Sequence, residues 1–153
     1  MMIVYVDADA CPVKEEVYKV AKRHGLEVVV VANSRMRIPD DPLVCLEIVG
    51  DAFDAADDWI AGRTEGGDIV VTADILLADR CLKSGAYVLG TTGKPFTEEN
   101  IGDAVATREM LSELREMGQR NGPPPFKKED RSRFLQQLDT AINALKRRHR
   151  ASS

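Results

Sequence analysis

Short apolar runs alternate with segments of helical periodicity along most of this chain. Two predicted strands, Ile3 to Val6 and Glu27 to Ala32, are dominated by β-branched residues, as is usual for strands buried on both faces of a parallel sheet. Between them, Val13 to His24 carries one apolar stripe at helical spacing, and Gly25 follows as a helix-ending residue. Strands and helices that alternate at these lengths predict an α/β fold with three layers, α/β/α, around a mainly parallel sheet.

The same alternation predicts the remaining elements. Strands are expected at Leu43–Val49, Asp68–Thr72 and Ala86–Leu89, with the first of them near a sheet edge, and helices at Gly50–Gly62, Ile75–Ser84, Glu98–Gln119 and Ser132–Arg148. Gly90 to Pro95 is predicted to be a loop, and Thr97 to cap the helix after it. Residues 121–125 contain three consecutive prolines and cannot be helical. We therefore expect an α/β domain over residues 1–120. Residues 121–153 should add a Pro-rich hinge and a basic helix packed on or extending that domain.

Length and composition narrow the class of protein. The chain has 153 residues, close to the usual size of one domain. No apolar run approaches the roughly 20 residues of a membrane span, and the N-terminus lacks the basic start of a signal peptide. We expect a cytoplasmic protein without membrane contact, and the sequence leaves open whether it forms a homo-oligomer. Cys11, Cys45 and Cys81 match no zinc-binding spacing and are expected to be reduced thiols.

Charge is unevenly distributed. Residues 1–106 contain 10 Lys/Arg against 19 Asp/Glu, whereas residues 107–153 contain 11 against 6. An acidic body repels nucleic acid unless cations sit in it, while a basic tail can supply phosphate contacts. The basic tail, Lys146 to Arg150, could equally complement the dipole at the end of a helix.

Acidic residues follow two predicted strands at the point where each strand ends. Asp7 and Asp9 come after the first strand, and Asp74 follows the strand that ends in Thr72. The carboxyl ends of parallel strands form the binding edge of such a sheet, so these acids share one crevice if the two strands are neighbours. Each acid could instead cap a helix, and Asp9 suits the cap before Pro12.

The helix predicted after Gly50 adds further carboxylates. Phe53 and Ile60 belong to its apolar face. Asp54 and Asp57 are three residues apart, hence neighbours beside that face at about 100° per residue. Asp58 points away from the face, toward solvent. Asp54 and Asp57 can therefore border the same crevice as the strand-end acids.

Several carboxylates in one crevice need a cation. Each pair about 4 Å apart costs roughly 4 kcal/mol at an effective dielectric of about 20, so the group stays ionised together only around a positive charge. Oxygen ligands favour Mg²⁺ or Mn²⁺, and such an ion can activate water and offset charge on a phosphodiester. Neither His24 nor His149 is placed at the crevice, which argues against zinc.

Several segments carry a resemblance to a known family. They include Val6 to Val13, with Asp-Ala-Asp-Ala-Cys-Pro at its centre, Val70 to Ile75, Asp54 to Ile60, and Gly122 to Phe126. Over nearly its whole length the chain resembles the YaiI/YqxD family of uncharacterised bacterial proteins, which is similar to the wider PIN-like nuclease group. The resemblance implies a PIN-like fold and, for PIN relatives, a divalent-metal ribonuclease.

Matched by position, the resemblance assigns metal-ligating acids to Asp7, to Asp54 or Asp57, and to Asp74 within Thr72-Ala73-Asp74. Many PIN relatives have a further acid two residues later, where this chain has Leu76.

Residues and resemblance together predict a PIN-like nuclease that uses Mg²⁺ or Mn²⁺ and acts on RNA rather than DNA. Asp7, Asp9 and Asp74 are the predicted catalytic residues, with Asp9 either joining the site or only capping its helix. Thr72 is expected to orient a ligand or water. Arg35 and Arg37, in the loop after the second strand, are expected to contact the substrate backbone.

Three alternatives remain open. A haloacid dehalogenase-like phosphatase would use Asp7 as nucleophile and Asp9 as general acid, with Thr72 and Lys94 binding phosphate. A thiol enzyme would use Cys11 near a helix N-terminus, although the acids beside it oppose thiolate formation. A non-catalytic RNA-binding or regulatory protein would need only the basic residues.

Overall fold

The protein was analysed as a computed structural model, which describes residues 2–9, 11–50, 54–116 and 126–152. Within these ranges the elements follow in the order β1 (Ile3–Asp7), α1 (Lys14–His24), β2 (Glu27–Ala32), β3 (Val44–Ile48), α2 (Ala55–Arg63), β4 (Ile69–Val71), α3 (Ile75–Lys83), β5 (Tyr87–Leu89), β6 (Pro95–Phe96), α4 (Glu98–Glu116) and α5 (Lys128–Ser152). The predicted Phe53, the end of the fourth helix at Gln119 and the Pro-rich residues 121–125 lie outside the described residues.

One six-stranded sheet forms the middle layer, in the order β3-β2-β1-β4-β5-β6. Strands β1 to β5 pair in parallel, and β6 pairs antiparallel with β5. In the β1–β4 pair, Val6 lies opposite Val71. The predicted mainly parallel α/β fold is confirmed, and the neighbouring positions of β1 and β4 bring the ends of these two strands to the same edge of the sheet.

Helices cover both faces of the sheet, as the buried strands predict. Val4 and Val6 of β1 belong to the hydrophobic core on one face, together with side chains of α1 and α5. Tyr5, between them, belongs to the core on the other face, with side chains of α2, α3 and α4. This alternation is the period of two of a strand, and it makes the molecule a three-layer α/β/α structure.

Several boundaries differ from the prediction, and helix α2, for example, begins at Ala55 rather than at Gly50. The segment Gly90 to Pro95, predicted as a loop, ends in the short strand β6, which lies at the sheet edge where Pro95 needs no ladder donor. Helix α5 begins at Lys128, four residues before the predicted start at Ser132, because Asp130 accepts a hydrogen bond from the Lys127 amide and closes the first turn. Strand β3 lies at the opposite edge, as predicted.

Helix α5 belongs to the core. Phe134, Leu138 and Ile142 are fully buried, and they pack with α1 against the sheet. No helix in the described ranges is long and apolar enough to cross a membrane.

Candidate functional site

A cavity of about 450 Å³ opens at the carboxyl ends of β1 and β4. Its lining consists of five carboxylates, two guanidinium groups, one amide and four apolar side chains: Asp7, Asp9, Asn33, Asp54, Ala56, Asp57, Ala73, Asp74, Leu76, Leu77, Arg80 and Arg108. All five aspartates that the sequence predicted to border the crevice therefore lie around one cavity. They come from three separate regions of the chain and meet because β1 and β4 are neighbours.

Asp7 ends β1 and is the most enclosed of these acids, with 8% of its surface exposed. Burial raises the pKa of its carboxyl, the hydrogen bond from Thr72 opposes that rise, and the charges of Asp9 and Asp74 add to it. A buried carboxyl beside other acids holds its negative charge at a cost. Asp7 is thus placed where a cation in the cavity would relieve that cost.

Thr72 connects the two strand ends. Its hydroxyl is fully buried, donates to Oδ2 of Asp7 at 2.9 Å, and accepts from the amide of Asp74 at 2.9 Å. The Thr72 side chain therefore fixes the position of Asp7 relative to the start of α3. Because the hydroxyl is enclosed, Thr72 can orient the acids of the site and does not face the open cavity.

Asp74 is held by the helix that it begins. Its Oδ1 accepts from the amides of Leu76 at 2.9 Å and Leu77 at 3.3 Å, which makes it the N-cap of α3. The capping alternative weighed from the sequence is therefore correct for Asp74, yet the same residue also lines the cavity. Capping fixes the direction of this carboxylate.

Among the acids of the cavity, Asp57 on α2 has the largest upward shift in pKa. Its pKa is raised to about 7, first by burial, then by the charges of Asp74 and Asp7, and also by a side-chain hydrogen bond with Asp74. Near neutral pH the Asp57 carboxyl therefore exchanges between its protonated and its ionised form.

Asp54 and Asp9 lie at the exposed margin of the cavity. Asp54 occupies the N-cap position of α2 without a side-chain capping bond. The predicted capping role of Asp9 is wrong, because α1 starts after Val13 with no side-chain cap, and Asp9 instead accepts from Nδ2 of Asn33 at 3.2 Å. Asn33 was not predicted, although its place directly after β2 was a usable signal. Asp58 faces solvent, as predicted.

The basic residues around the cavity are not those named from the sequence. Arg35 and Arg37 are exposed in the loop between β2 and β3 and are absent from the described cavity lining. Arg80 of α3 and Arg108 of α4 line it instead. Arg80 donates to Oδ1 of Asp58 at 2.8 Å.

Two features bear on the alternatives. Cys11 is buried and its pKa is raised, mainly by burial, so the thiol stays protonated and a thiolate nucleophile is disfavoured. Lys94, the lysine required by the phosphatase alternative, is exposed and lies outside the described lining of the cavity.

The donor atoms around the cavity decide which ion it could hold. Across the described residues, no group of three or more His, Cys, Asp or Glu side chains is arranged to hold a metal ion as it stands. The cavity does offer all-oxygen donors with crowded negative charge, which suits an ion that keeps several waters, as Mg²⁺ does. The residues therefore fit a hydrated divalent ion better than a closed protein cage.

Comparison with known proteins places the chain in a family. A family model described as "Uncharacterized BCR, YaiI/YqxD family" matches residues 5–144. A "UPF0178 protein" of Sphingopyxis alaskensis is 60% identical over 147 residues, covering 95% of this chain and 96% of the relative. Another, from Paramagnetospirillum magneticum, is 54% identical over 148 residues, covering 96% of this chain and 98% of the relative.

A third relative, the "UPF0178 protein" of Rhodopseudomonas palustris strain HaA2, is 56% identical over 146 residues, 95% of this chain and 89% of its own. No solved structure shows a significant match. Both the family model and these relatives span nearly the whole chain, so the protein belongs to the YaiI/YqxD family, also called UPF0178.

Proposed function

We propose that this protein is a divalent-metal-dependent nuclease that hydrolyses phosphodiester bonds, with RNA preferred over DNA. The observation that carries the proposal is the convergence of Asp7, Asp57 and Asp74 on one cavity at the carboxyl edge of adjacent parallel strands. The likeness of this family to PIN-like nucleases, inferred from sequence, supports the same reaction and the choice of RNA.

Asp7, Asp74 and Asp57 or Asp54 would hold Mg²⁺ or Mn²⁺, with Asp9 joining them directly or through water. When bound, the ion supplies an activated water and offsets negative charge on the phosphodiester. Neutralising the acids also removes the repulsion that an anionic substrate would otherwise meet in this cavity.

The protein's own groups would divide the remaining work. Thr72 fixes the Asp7 carboxylate through its 2.9 Å hydrogen bond. The α3 amides fix Asp74. With a pKa of about 7, Asp57 can release its proton near neutral pH, so that its carboxylate becomes available to a bound ion.

The test compares cleavage by the wild type with cleavage by Asp74→Asn. A single-stranded RNA, a DNA of the same sequence and a phosphate monoester are each incubated with Mn²⁺, Mg²⁺ or EDTA. We expect the wild type to cleave RNA with either ion and not with EDTA. Asp74→Asn should lose about 100-fold or more in rate, because it removes a charged ligand while its amide oxygen can still cap α3.

Asp79→Asn is the matched control, since Asp79 lies on α3, the helix that Asp74 begins, pairs with Lys83 and is absent from the described cavity lining. It should retain wild-type rates. Equal cleavage by the wild type and Asp74→Asn, or cleavage that persists in EDTA, would contradict the proposal. Release of phosphate from the monoester without cleavage of RNA would favour the phosphatase alternative.

A further inference from the structure

The cavity has a cationic side as well as an acidic one. Among its described lining residues, the positively charged ones are Arg80 of α3 and Arg108 of α4. These two helices pack against each other on the same face of the sheet. The acids come from the end of β1 and the residues after it, from the start of α2 and from the N-cap of α3, so α3 contributes charge of both signs.

Arg108 differs from Arg80 in having no partner within the part of the chain that the structure describes. Arg80 is held by Asp58, whereas Arg108 forms no ion pair or hydrogen bond with any residue that the structure describes. Its own helix offers none, because the positions three and four residues away are Ala104, Val105, Leu111 and Ser112. Five carboxylates line the same cavity, yet none of them pairs with this guanidinium.

An unpaired guanidinium in a cavity is suited to an anionic ligand. Arginine stays charged at all physiological pH values, and its planar donors match the oxygens of a phosphate. Leu76, next to Asp74 in sequence, has 44% of its surface exposed and lines the same cavity. An anion with an apolar or planar portion beside it would satisfy both side chains.

We propose that Arg108, assisted by Arg80, binds a phosphate of the polynucleotide strand adjacent to the bond that is cut, and that Leu76 contacts the neighbouring sugar or base. The identity of the ligand as a polynucleotide rests on the proposed nuclease function. Arg108 is then a substrate-binding residue that sets where the strand lies, while the acids act on the scissile phosphate.

The experiment measures binding separately from cleavage. A fluorescent single-stranded oligonucleotide of about ten residues with phosphorothioate linkages, in RNA and DNA forms, is titrated with the full chain in Mg²⁺ at several salt concentrations. The variants are Arg108→Ala, Arg108→Lys and, as a matched control, Lys83→Ala. Lys83 is an exposed cation on α3 that pairs with Asp79 outside the described cavity lining.

We expect Arg108→Ala to weaken binding by about 10-fold and to reduce the slope of log K against log salt by about 1. Arg108→Lys should restore the slope but not all of the affinity, since a lysine keeps the charge and loses the paired donors. Lys83→Ala should change the affinity less than about twofold, and all three variants should keep the wild-type melting temperature, because both side chains are exposed.

The outcomes separate this inference from the proposed function. If the wild type cuts no substrate but Arg108→Ala binds the oligonucleotide more weakly than the wild type does, the phosphate site is supported and the nuclease is rejected. Metal-dependent cleavage with unchanged binding and unchanged KM in Arg108→Ala would reject the phosphate site and keep the nuclease. Equal losses in Arg108→Ala and Lys83→Ala, or no binding by the wild type, would also overturn the inference.

Discussion

The pKa of Asp57 depends on its burial and on the charges of the other acids around the cavity. Asp57 lies on α2, and its carboxyl is raised to a pKa of about 7 by burial and by the charges of Asp74 and Asp7. The folded protein therefore prefers the protonated form, while the unfolded chain ionises near the ordinary value of 3.8. Stability from this group is fully present below about pH 4 and is lost as the pH rises through the folded value.

An Asp57→Asn substitution should accordingly stabilise the metal-free protein at alkaline pH. The amide cannot ionise, so its advantage over wild type should grow between about pH 4 and pH 7 and then level off at about 2 kcal/mol, after allowance for solvent screening. Urea unfolding in EDTA across that pH range measures the difference. Asp58→Asn, which breaks the ion pair with Arg80, is the control. Its free energy of unfolding should not increase relative to wild type as the pH rises. A pH-independent advantage for Asp57→Asn would rule out the raised pKa of Asp57.

At the scale of the elements, the sequence predicts those strands and helices whose formation depends on residues close to one another in the chain. The succession of β1 to β5 and of the helices along the chain follows from apolar periodicity and from breakers such as Gly25. Strand β6 was missed because two residues with a proline carry no strand pattern, and only the neighbouring β5 makes them a strand. Tertiary contact decided this element.

Some residues of the candidate site could likewise be predicted from the sequence, and others could not. Asp7 and Asp74 were predictable because each follows a strand, and neighbouring parallel strands bring their ends together. Arg108 was not predictable, since its place at the cavity depends on how α4 packs across α3. Arg35 and Arg37 were chosen for charge alone, and charge does not say which way a loop runs.

Gly93 tests how closely the loop after β5 is joined to α5. It has a φ of +89°, and a Cβ atom there would come within 2.8 Å of the backbone of Arg133 and Phe134. Gly93→Ala should therefore lower the free energy of unfolding by about 2–4 kcal/mol, through backbone strain and displacement of the helix. Gly25→Ala is the matched control, because its φ of +66° is also left-handed but its Cβ would meet nothing within 4 Å. It should cost only about 1 kcal/mol, as measured by urea unfolding, and equal losses would mean that the loop and helix can separate.

At the scale of the whole molecule, α5 is tied to the far side of the sheet from the cavity's helices. In addition to the apolar contacts of Leu138, α5 makes polar contacts with His24. Oδ1 of Asp139 lies 2.7 Å from Nε2 of His24, and Nζ of Lys146 lies 3.2 Å from Nδ1 of the same ring. Hydrogen bonding with His24 lowers the pKa of the Asp139 carboxyl. The C-terminal end of α1 is thus joined to α5 by both packing and polar contacts, and we propose that residues 128–152 fold with the α/β body as one unit.

Leu138→Ala tests that unity with two probes on opposite sides of the sheet. Leu138 is fully buried beside α1, so the substitution should cost about 2–5 kcal/mol. The single tryptophan, Trp59, packs with the core on the other face, its ring edge-on to Tyr5. In one cooperative unit, the loss of buried volume under α5 lowers the unfolding midpoint of Trp59 fluorescence and of far-UV circular dichroism by the same amount. Gln136→Ala, on an exposed position of α5, should leave both midpoints in place. If circular dichroism shifts while Trp59 fluorescence does not, α5 unfolds independently, and the tail is an attachment to the sheet rather than one of its layers.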